Sequence, residues 1–226
     1  MEYQIRGTVM QSVEISLQQG ESVYTEAGGM AWMTANIGMD ANMRGGLMSA
    51  LKRKAAGESL FMTTYTCESG SGFVTFTLET PGTIIPIELA PGQSMICQRD
   101  AFMCAEQSVE LDMHVTRRLG AGLFGGEGLI LQKVTGPGLA FFEIAGETVQ
   151  YDLQAGQSLR VDPGHIALMD PTVDFDITRI KGVTNVLFSG EGLFLANVTG
   201  PGRVWLQTMP LPNLAAKLSR YIATSS

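Results

Sequence analysis

The sequence predicts an all-β protein: three tandem β-sandwich-like repeats around a pseudo-threefold axis, with one short C-terminal helix. Three observations carry this. The 226 residues include 27 glycines and 9 prolines, with 45% hydrophobic and only 16% charged side chains. Without a collagen period, that much glycine in an apolar chain marks many tight turns between short strands. Two blocks of sequence recur in the same order. Within each recurrence apolar and polar residues alternate, the period of a strand with one buried face.

The plainest recurrence sets Gly126-Glu-Gly-Leu-Ile-Leu-Gln-Lys-Val-Thr-Gly-Pro-Gly138 against Gly190-Glu-Gly-Leu-Phe-Leu-Ala-Asn-Val-Thr-Gly-Pro-Gly202, an offset of 64. A looser copy begins at Gly57-Glu-Ser-Leu-Phe-Met62. In the second block Leu17, Gly20, Ser22, Gly28 and Met30 match Leu89, Gly92, Ser94, Asp100 and Phe102 at an offset of 72. These in turn match Leu153, Gly156, Ser158, Gly164 and Ile166 at an offset of 64. The same offset from two independent blocks argues against chance, and the longer first offset places an insertion in the first repeat. The repeats are read as 1–78, with a basic insertion at 43–57, then 79–142 and 143–208, followed by a helical tail at 209–226. Units this small are marginal alone, so the three are expected to bury faces against each other.

Taken in order, Val9, Gln11, Val13, Ile15 and Leu17 mark the first alternating strand, and 84–89 and 149–153 occupy the matching places. Pro-Gly steps at 81–82, 91–92, 137–138, 163–164 and 201–202 suit type II turns, proline fixing φ at the first corner and glycine taking φ > 0 at the second. After Pro210-Leu-Pro-Asn213, the spacing of Leu214, Lys217, Leu218 and Tyr221 predicts an amphipathic helix capped by Asn213. Its apolar stripe should dock on its own domain or on a neighbouring subunit.

Composition excludes several classes. A formal net charge of −7 argues against nucleic-acid binding, which needs positive surface to neutralise phosphates. The first residues match neither a secretory signal nor a transit segment, and no apolar run approaches the ~18 residues that span a bilayer. The expectation is a cytoplasmic protein without a transmembrane segment, able to lie peripherally on a membrane. The 3 cysteines form no C-x-x-C and no Cys/His cluster, so no disulfide framework or zinc site is implied. Cys97 matches Thr25 and Val161, and Cys104 matches Trp32 and Leu168, so both read as packing residues, as does Cys67.

No cofactor, metal or catalytic residue is nominated. Gly120-Ala-Gly-Leu-Phe-Gly125 fits G-x-G-x-x-G, but Gly126-Glu-Gly128 and an apolar strand follow where a dinucleotide site needs a helix. His114 and His165 have no aligned partners. Asp40, Asp112 and Asp176 are equivalent under the repeat and read as a solvated strand face, a shared cation site being the less supported alternative.

The informative segment is Met43-Arg-Gly-Gly-Leu-Met-Ser-Ala-Leu-Lys-Arg-Lys-Ala-Ala-Gly57, which sets Arg44, Lys52, Arg53 and Lys54 beside Leu47, Met48 and Leu51. Arg117 and Arg118 precede the Gly-Glu motif of the second repeat, and Arg179 and Lys181 that of the third. These are 8 of the 15 basic residues. They form a candidate patch for a small anion, an anionic membrane surface or a protein partner, a solvated loop being the plainer alternative.

Thr25-Glu-Ala-Gly-Gly-Met-Ala-Trp-Met33, Gly57-Glu-Ser-Leu-Phe61 and Gly192-Leu-Phe-Leu-Ala-Asn-Val-Thr-Gly-Pro-Gly-Arg-Val-Trp-Leu-Gln207 closely resemble the β-rich family named for altered inheritance of mitochondria. That family has been treated as a domain of unknown function, and the resemblance covers nearly the whole chain. It implies a fold like that of the tryptophan RNA-binding attenuator (TRAP-like) and assembly as a homo-oligomer, a trimer. Eukaryotic relatives are associated with the mitochondrial inner membrane, microbial relatives have no settled activity, and the motifs designate no catalytic residues. The expected function is therefore non-enzymatic: an oligomeric assembly protein that binds a membrane surface or a partner. A small-ligand or RNA-binding TRAP-like sensor is the alternative, and a hydrolase has least support.

Overall fold

The computed structural model describes residues 1–26, 29–42, 62–117, 129–179, 194–219 and 221. Nineteen strands and one α-helix lie among these residues. After β1 (Glu2–Arg6) the strands come in three runs of six. The first run is β2 (Ser12–Gln18), β3 (Ser22–Glu26), β4 (Met30–Met33), β5 (Ile37–Asn42), β6 (Met62–Cys67) and β7 (Ser71–Thr77). The second is β8 (Gly82–Leu89), β9 (Ser94–Gln98), β10 (Phe102–Glu106), β11 (Glu110–Arg117), β12 (Leu129–Thr135) and β13 (Gly138–Ala145). The third is β14 (Thr148–Leu153), β15 (Ser158–Val161), β16 (Ile166–Met169), β17 (Asp174–Arg179), β18 (Phe194–Thr199) and β19 (Gly202–Gln207). Helix α1 (Leu211–Ser219) follows.

Every pairing is antiparallel, and the pattern recurs from run to run. The sheet orders are β1-β2-β7-β4, then β5-β6-β3-β10-β13-β8, then β11-β12-β9-β16-β19-β14, and finally β15-β18-β17. Each run thus contributes two three-stranded halves, and successive runs join edge to edge, β3 to β10 and β9 to β16. Three apolar cores fill the runs. Val13, Ile15, Leu17, Tyr65, Val74 and Phe76 belong to the first, Leu89, Met95, Val134 and Phe142 to the second, and Leu153, Val161, Val198 and Val204 to the third.

Sharing has a direct effect on side-chain pattern. β2 has one buried face and alternates, with Val13, Ile15 and Leu17 wholly buried between half-buried polar neighbours. β9 lies in the middle of a shared sheet, and all of its residues are buried. On β13, Phe142 enters the second core while Phe141 faces the first, where Tyr3 of β1 meets it edge-on at 5.1 Å. One further device recurs: the ladder slips by a residue at Ala31, Met103 and Ala167, the same place in β4, β10 and β16.

The turn after the first strand of each run is closed by an N–H of Glu21, Gln93 or Gln157 donating to the carbonyl three residues back at 2.9 Å. Gly20, Gly92 and Gly156 stand there at φ of 86°, 77° and 79°, a conformation that penalises any other residue. Of the Pro-Gly steps, Pro91-Gly92 alone makes the expected type II turn. Pro137 and Pro201 follow cis peptide bonds, with Gly138 and Gly202 at φ of 135° and 144°. Gly82 opens β8, and Pro163–His165 is a 3₁₀ turn whose start is capped by Asp162, its carboxylate accepting the Gly164 N–H at 3.1 Å.

The helix also departs from expectation. It starts at Leu211, and the Pro210 carbonyl accepts the N–H groups of Asn213 and Leu214, both at 3.1 Å, so Asn213 lies inside the first turn and does not cap it. Leu211, Pro212 and Leu214 at its start are half-buried, whereas Leu218 is 52% and Tyr221 84% exposed, so the apolar stripe leaves the chain surface toward its C-terminal end. Among the described residues no helix is long and apolar enough to cross a membrane.

Candidate functional site

The eight candidate basic residues fall at or beyond the ends of three matching hairpins. β5–β6, β11–β12 and β17–β18 end in the ladder pairs Asn42↔Met62, Arg117↔Leu129 and Arg179↔Phe194. In each hairpin the first strand is the free edge of its sheet. The backbone of β11 reaches Arg117 and that of β17 reaches Arg179. Arg44, Lys52, Arg53, Lys54, Arg118 and Lys181 lie outside the described residues, as does the glycine motif at 120–125.

Asp40, Asp112 and Asp176 are exposed and sit on three different sheets, across the ladder from Thr64, Lys133 and Asn197. Among the described residues no group of three or more His, Cys, Asp or Glu side chains could hold a metal ion.

All three cysteines are buried and none forms a disulfide. Burial first, and then the nearby Glu143 charge, pushes the Cys104 thiol well up, which suppresses the reactive thiolate. The native protein should therefore exclude a thiol reagent such as Ellman's reagent at neutral pH and release all three thiols only in denaturant; labelling of the native chain at the rate of a free thiol would contradict the packing assignment. Trp32 breaks the pattern: its counterparts Cys104 and Leu168 are wholly buried, yet Trp32 is 51% exposed because β4 is an edge strand.

The structure adds a site that sequence reasoning missed. A cleft of about 190 Å³ opens where the strand ends of all three runs approach, lined by Thr77, Glu143 and Gln207 with Glu26, Gln98 and Asp100 around them. Thr77, Glu143 and Gln207 occupy the same place in β7, β13 and β19, each five residues after a glycine paired to Leu17, Leu89 or Leu153. Gln98 and Gln207 are buried and bonded: the Gln207 amide donates to Gln98 Oε1 at 3.0 Å and to the Gly164 carbonyl at 2.8 Å. Thr25 donates its hydroxyl to the Met103 carbonyl at 2.5 Å, and Glu26 accepts from the Gln132 amide at 2.9 Å. Arg99 pairs with Asp100 at 3.2 Å.

Glu143 is the chemically unusual member. Burial, then the charges of Glu79 and Asp100, push its carboxyl up to about 7, partly offset by a hydrogen bond from the Glu79 backbone. Glu143 therefore exchanges a proton near neutrality. Among the described residues of the lining, Glu26, Glu79 and Asp100 outnumber the cation Arg99 and make the wall acidic, which disfavours an anionic occupant. Among the described residues of this lining no nucleophile–base pair is recorded. His165 Nδ1 lies 2.7 Å from the Gln207 carbonyl. His114, at the slip in β11, is held below its ordinary pKa by burial and by Lys133. A sequence signal for Glu143 existed: it is the one acid inside the apolar strand Leu139-Ala-Phe-Phe-Glu-Ile-Ala145.

These observations define a class: antiparallel sandwiches in series that share their sheets edge to edge. The chain belongs to the mitochondrial biogenesis AIM24 family, whose model matches residues 3–209. It is 30% identical over 222 residues to an uncharacterized protein of Streptococcus pyogenes serotype M6, covering 95% of this chain and 88% of that one. It is also similar to a crystal structure of a Streptococcus pyogenes protein, with a TM-score of 0.78 and 25% identity over 98% of this chain and 99% of the other. The family resemblance carried by the sequence motifs is thus correct over nearly the whole chain.

Proposed function

We propose that this chain is a non-enzymatic, self-associating protein that binds an anionic membrane surface through its three basic inter-strand segments. The observation that carries this reading is the coincidence of chemistry and topology. The three corresponding hairpins β5–β6, β11–β12 and β17–β18 lead into, or hold at their ends, 8 of the 15 basic residues of a chain whose net charge is −7. In the first segment Leu47, Met48 and Leu51 accompany the charges, the composition of an interfacial contact in which basic heads meet lipid phosphates and apolar side chains enter the acyl boundary. Each basic residue near an anionic leaflet contributes about 1 kcal/mol, so one segment binds weakly and several acting together bind usefully. The acidic lining of the Glu143 cleft gives no support to the RNA-sensor alternative.

Co-sedimentation with vesicles of phosphatidylserine and phosphatidylcholine tests the reading. The wild-type protein should pellet with these vesicles at low salt, and both Lys52→Glu/Arg53→Glu/Lys54→Glu and raised ionic strength should release it. Equal pelleting of wild type and variant, or binding to pure phosphatidylcholine alone, would remove the electrostatic membrane reading in favour of a protein partner.

A further inference from the structure

The cleft at the strand ends holds a polar side chain whose hydrogen bonding is incomplete. Gln98, the last residue of β9, is only 4% exposed and lines the cleft. Its amide orientation is set by Gln207. The Gln207 Oε1 accepts the Ala145 N–H at 3.3 Å and its Nε2 donates to the Gly164 carbonyl at 2.8 Å, so reversing this amide would set donor against donor and acceptor against acceptor. The same Nε2 donates to Gln98 Oε1 at 3.0 Å, which turns the Gln98 Nε2 away from Gln207. Among the described residues that NH₂ group has no acceptor, and the open space beside Gln98 is the cleft. A nearly buried donor left in this way is costly, and an acceptor entering the cleft removes the cost.

Charge supplies a second, separate constraint. Among the described residues of the lining, Glu26, Glu79, Asp100 and Glu143 face one cation, Arg99, which is already paired with Asp100 at 3.2 Å. The occupant is therefore cationic. It is not a bare metal ion, because among the described residues no three carboxylates converge closely enough to hold one. Acids spread along a wall suit instead a cation with several N–H donors. Phe102, Met103 and Leu211 add apolar surface for a short alkyl stem. The volume of about 190 Å³ bounds the size, since a cavity of about 150 Å³ takes up benzene.

We infer that this cleft binds a small primary amine as its ammonium ion, one that also carries a neutral oxygen acceptor. The ammonium donates to the Glu143 carboxylate within the acidic wall, and the oxygen accepts from Gln98 Nε2. The site goes beyond the membrane reading and does not rest on it, so failure of the vesicle assay leaves it standing. Binding should strengthen as pH rises through about 7, where Glu143 loses its proton. The charged groups around that carboxyl are Glu79, Asp100, Glu26 and Arg99, and the neighbouring Cys104 thiol, pushed well up, stays neutral. An alkylammonium keeps its charge across the same range.

Isothermal titration calorimetry of the full chain with ethanolamine tests it. At about pH 8 ethanolamine should bind one to one, and ethylamine, which lacks the oxygen, about fivefold more weakly, the worth of one hydrogen bond. Phosphoethanolamine, which adds an anion as a lipid head group does, should bind more weakly than ethanolamine. Glu143→Gln should weaken ethanolamine by about tenfold or more and flatten the rise in affinity with pH. Gln98→Met should abolish the preference for ethanolamine over ethylamine, a readout that general loosening of the cleft would not move. Glu79→Gln/Asp100→Asn changes two exposed positions, so the fold is kept, and it should weaken both amines alike. No binding at tens of millimolar ethanolamine, equal affinity for ethylamine or phosphoethanolamine, or unchanged affinity in Glu143→Gln would each overturn the inference.

Discussion

Truncating Phe142 to alanine should lower the unfolding free energy by about 3–5 kcal/mol, the usual range for a fully buried aromatic. Phe142 is wholly buried in the second core, opposite Phe102 on one ladder and Ile85 on the other. Phe102 in turn packs against Tyr24, with ring centroids 5.8 Å apart. This core is bounded by both shared sheets, whose outer faces are held by the first and third cores, so its walls have little freedom to collapse onto the void. Tyr3→Ala supplies the contrast. Tyr3 is 41% exposed and its ring meets Phe141 edge-on, so its loss should be about 1 kcal/mol. Urea denaturation of the three proteins, with the slope checked for constancy, reads the difference. A Phe142→Ala midpoint shifted no further than that of Tyr3→Ala would show that the second core is not the rigid centre described here.

The second large effect is a pH dependence with a definite sign. Glu143 titrates near 7 in the folded chain against an ordinary 4.5. Folding therefore favours its protonated form, and the folded state carries no penalty from this group below about pH 4.5. Stability should fall as pH rises from about 4.5 to 7, and above 7 the full cost of a buried carboxylate is present. At about 1.4 kcal/mol per pH unit that cost is roughly 3 kcal/mol. Glu143→Gln removes the ionisation, so the variant should be more stable than wild type at pH 8 and should converge with it near pH 4.5. Identical pH profiles of the two proteins would mean that Glu143 is solvated. Asp100→Asn should act in the same direction with smaller size, because Asp100 contributes less than burial to the raised value.

The strands with one buried face were legible because their period is set by water: Val13, Ile15 and Leu17 face inward and their neighbours do not. Strands of the shared sheets were not readable in that way. Phe102-Met-Cys-Ala105 is buried throughout and slips at Met103, so both the double burial and the bulge erase the period of two. Trp32 was misplaced for the complementary reason. Alignment assigns it the environment of Cys104, but environment depends on whether a neighbouring strand is present, and that is a property of topology. Asn213 has good capping chemistry, yet the Pro210 carbonyl begins the helix earlier. Glu143 escaped notice because its counterparts Thr77 and Gln207 are uncharged, and repeat comparison reveals what is common to the copies. The candidate basic residues stand out in composition and spacing, but their side chains lie outside those the structure describes.

The two shared sheets also dictate how the molecule comes apart. A run in the middle cannot open alone, since β10 and β13 lie in one ladder system with β3, and β9 lies in another with β16. Amide protons in β9, β10 and β13 are thus exchanged only through openings that involve more than one run, whereas β1 and β17, at free edges of the first and last sheets, exchange through local fraying. Protection should therefore be greatest where successive runs share a sheet and least at the sheet edges, β8 and β11 of the middle run included, and no third of the sequence should behave as a separable folding unit.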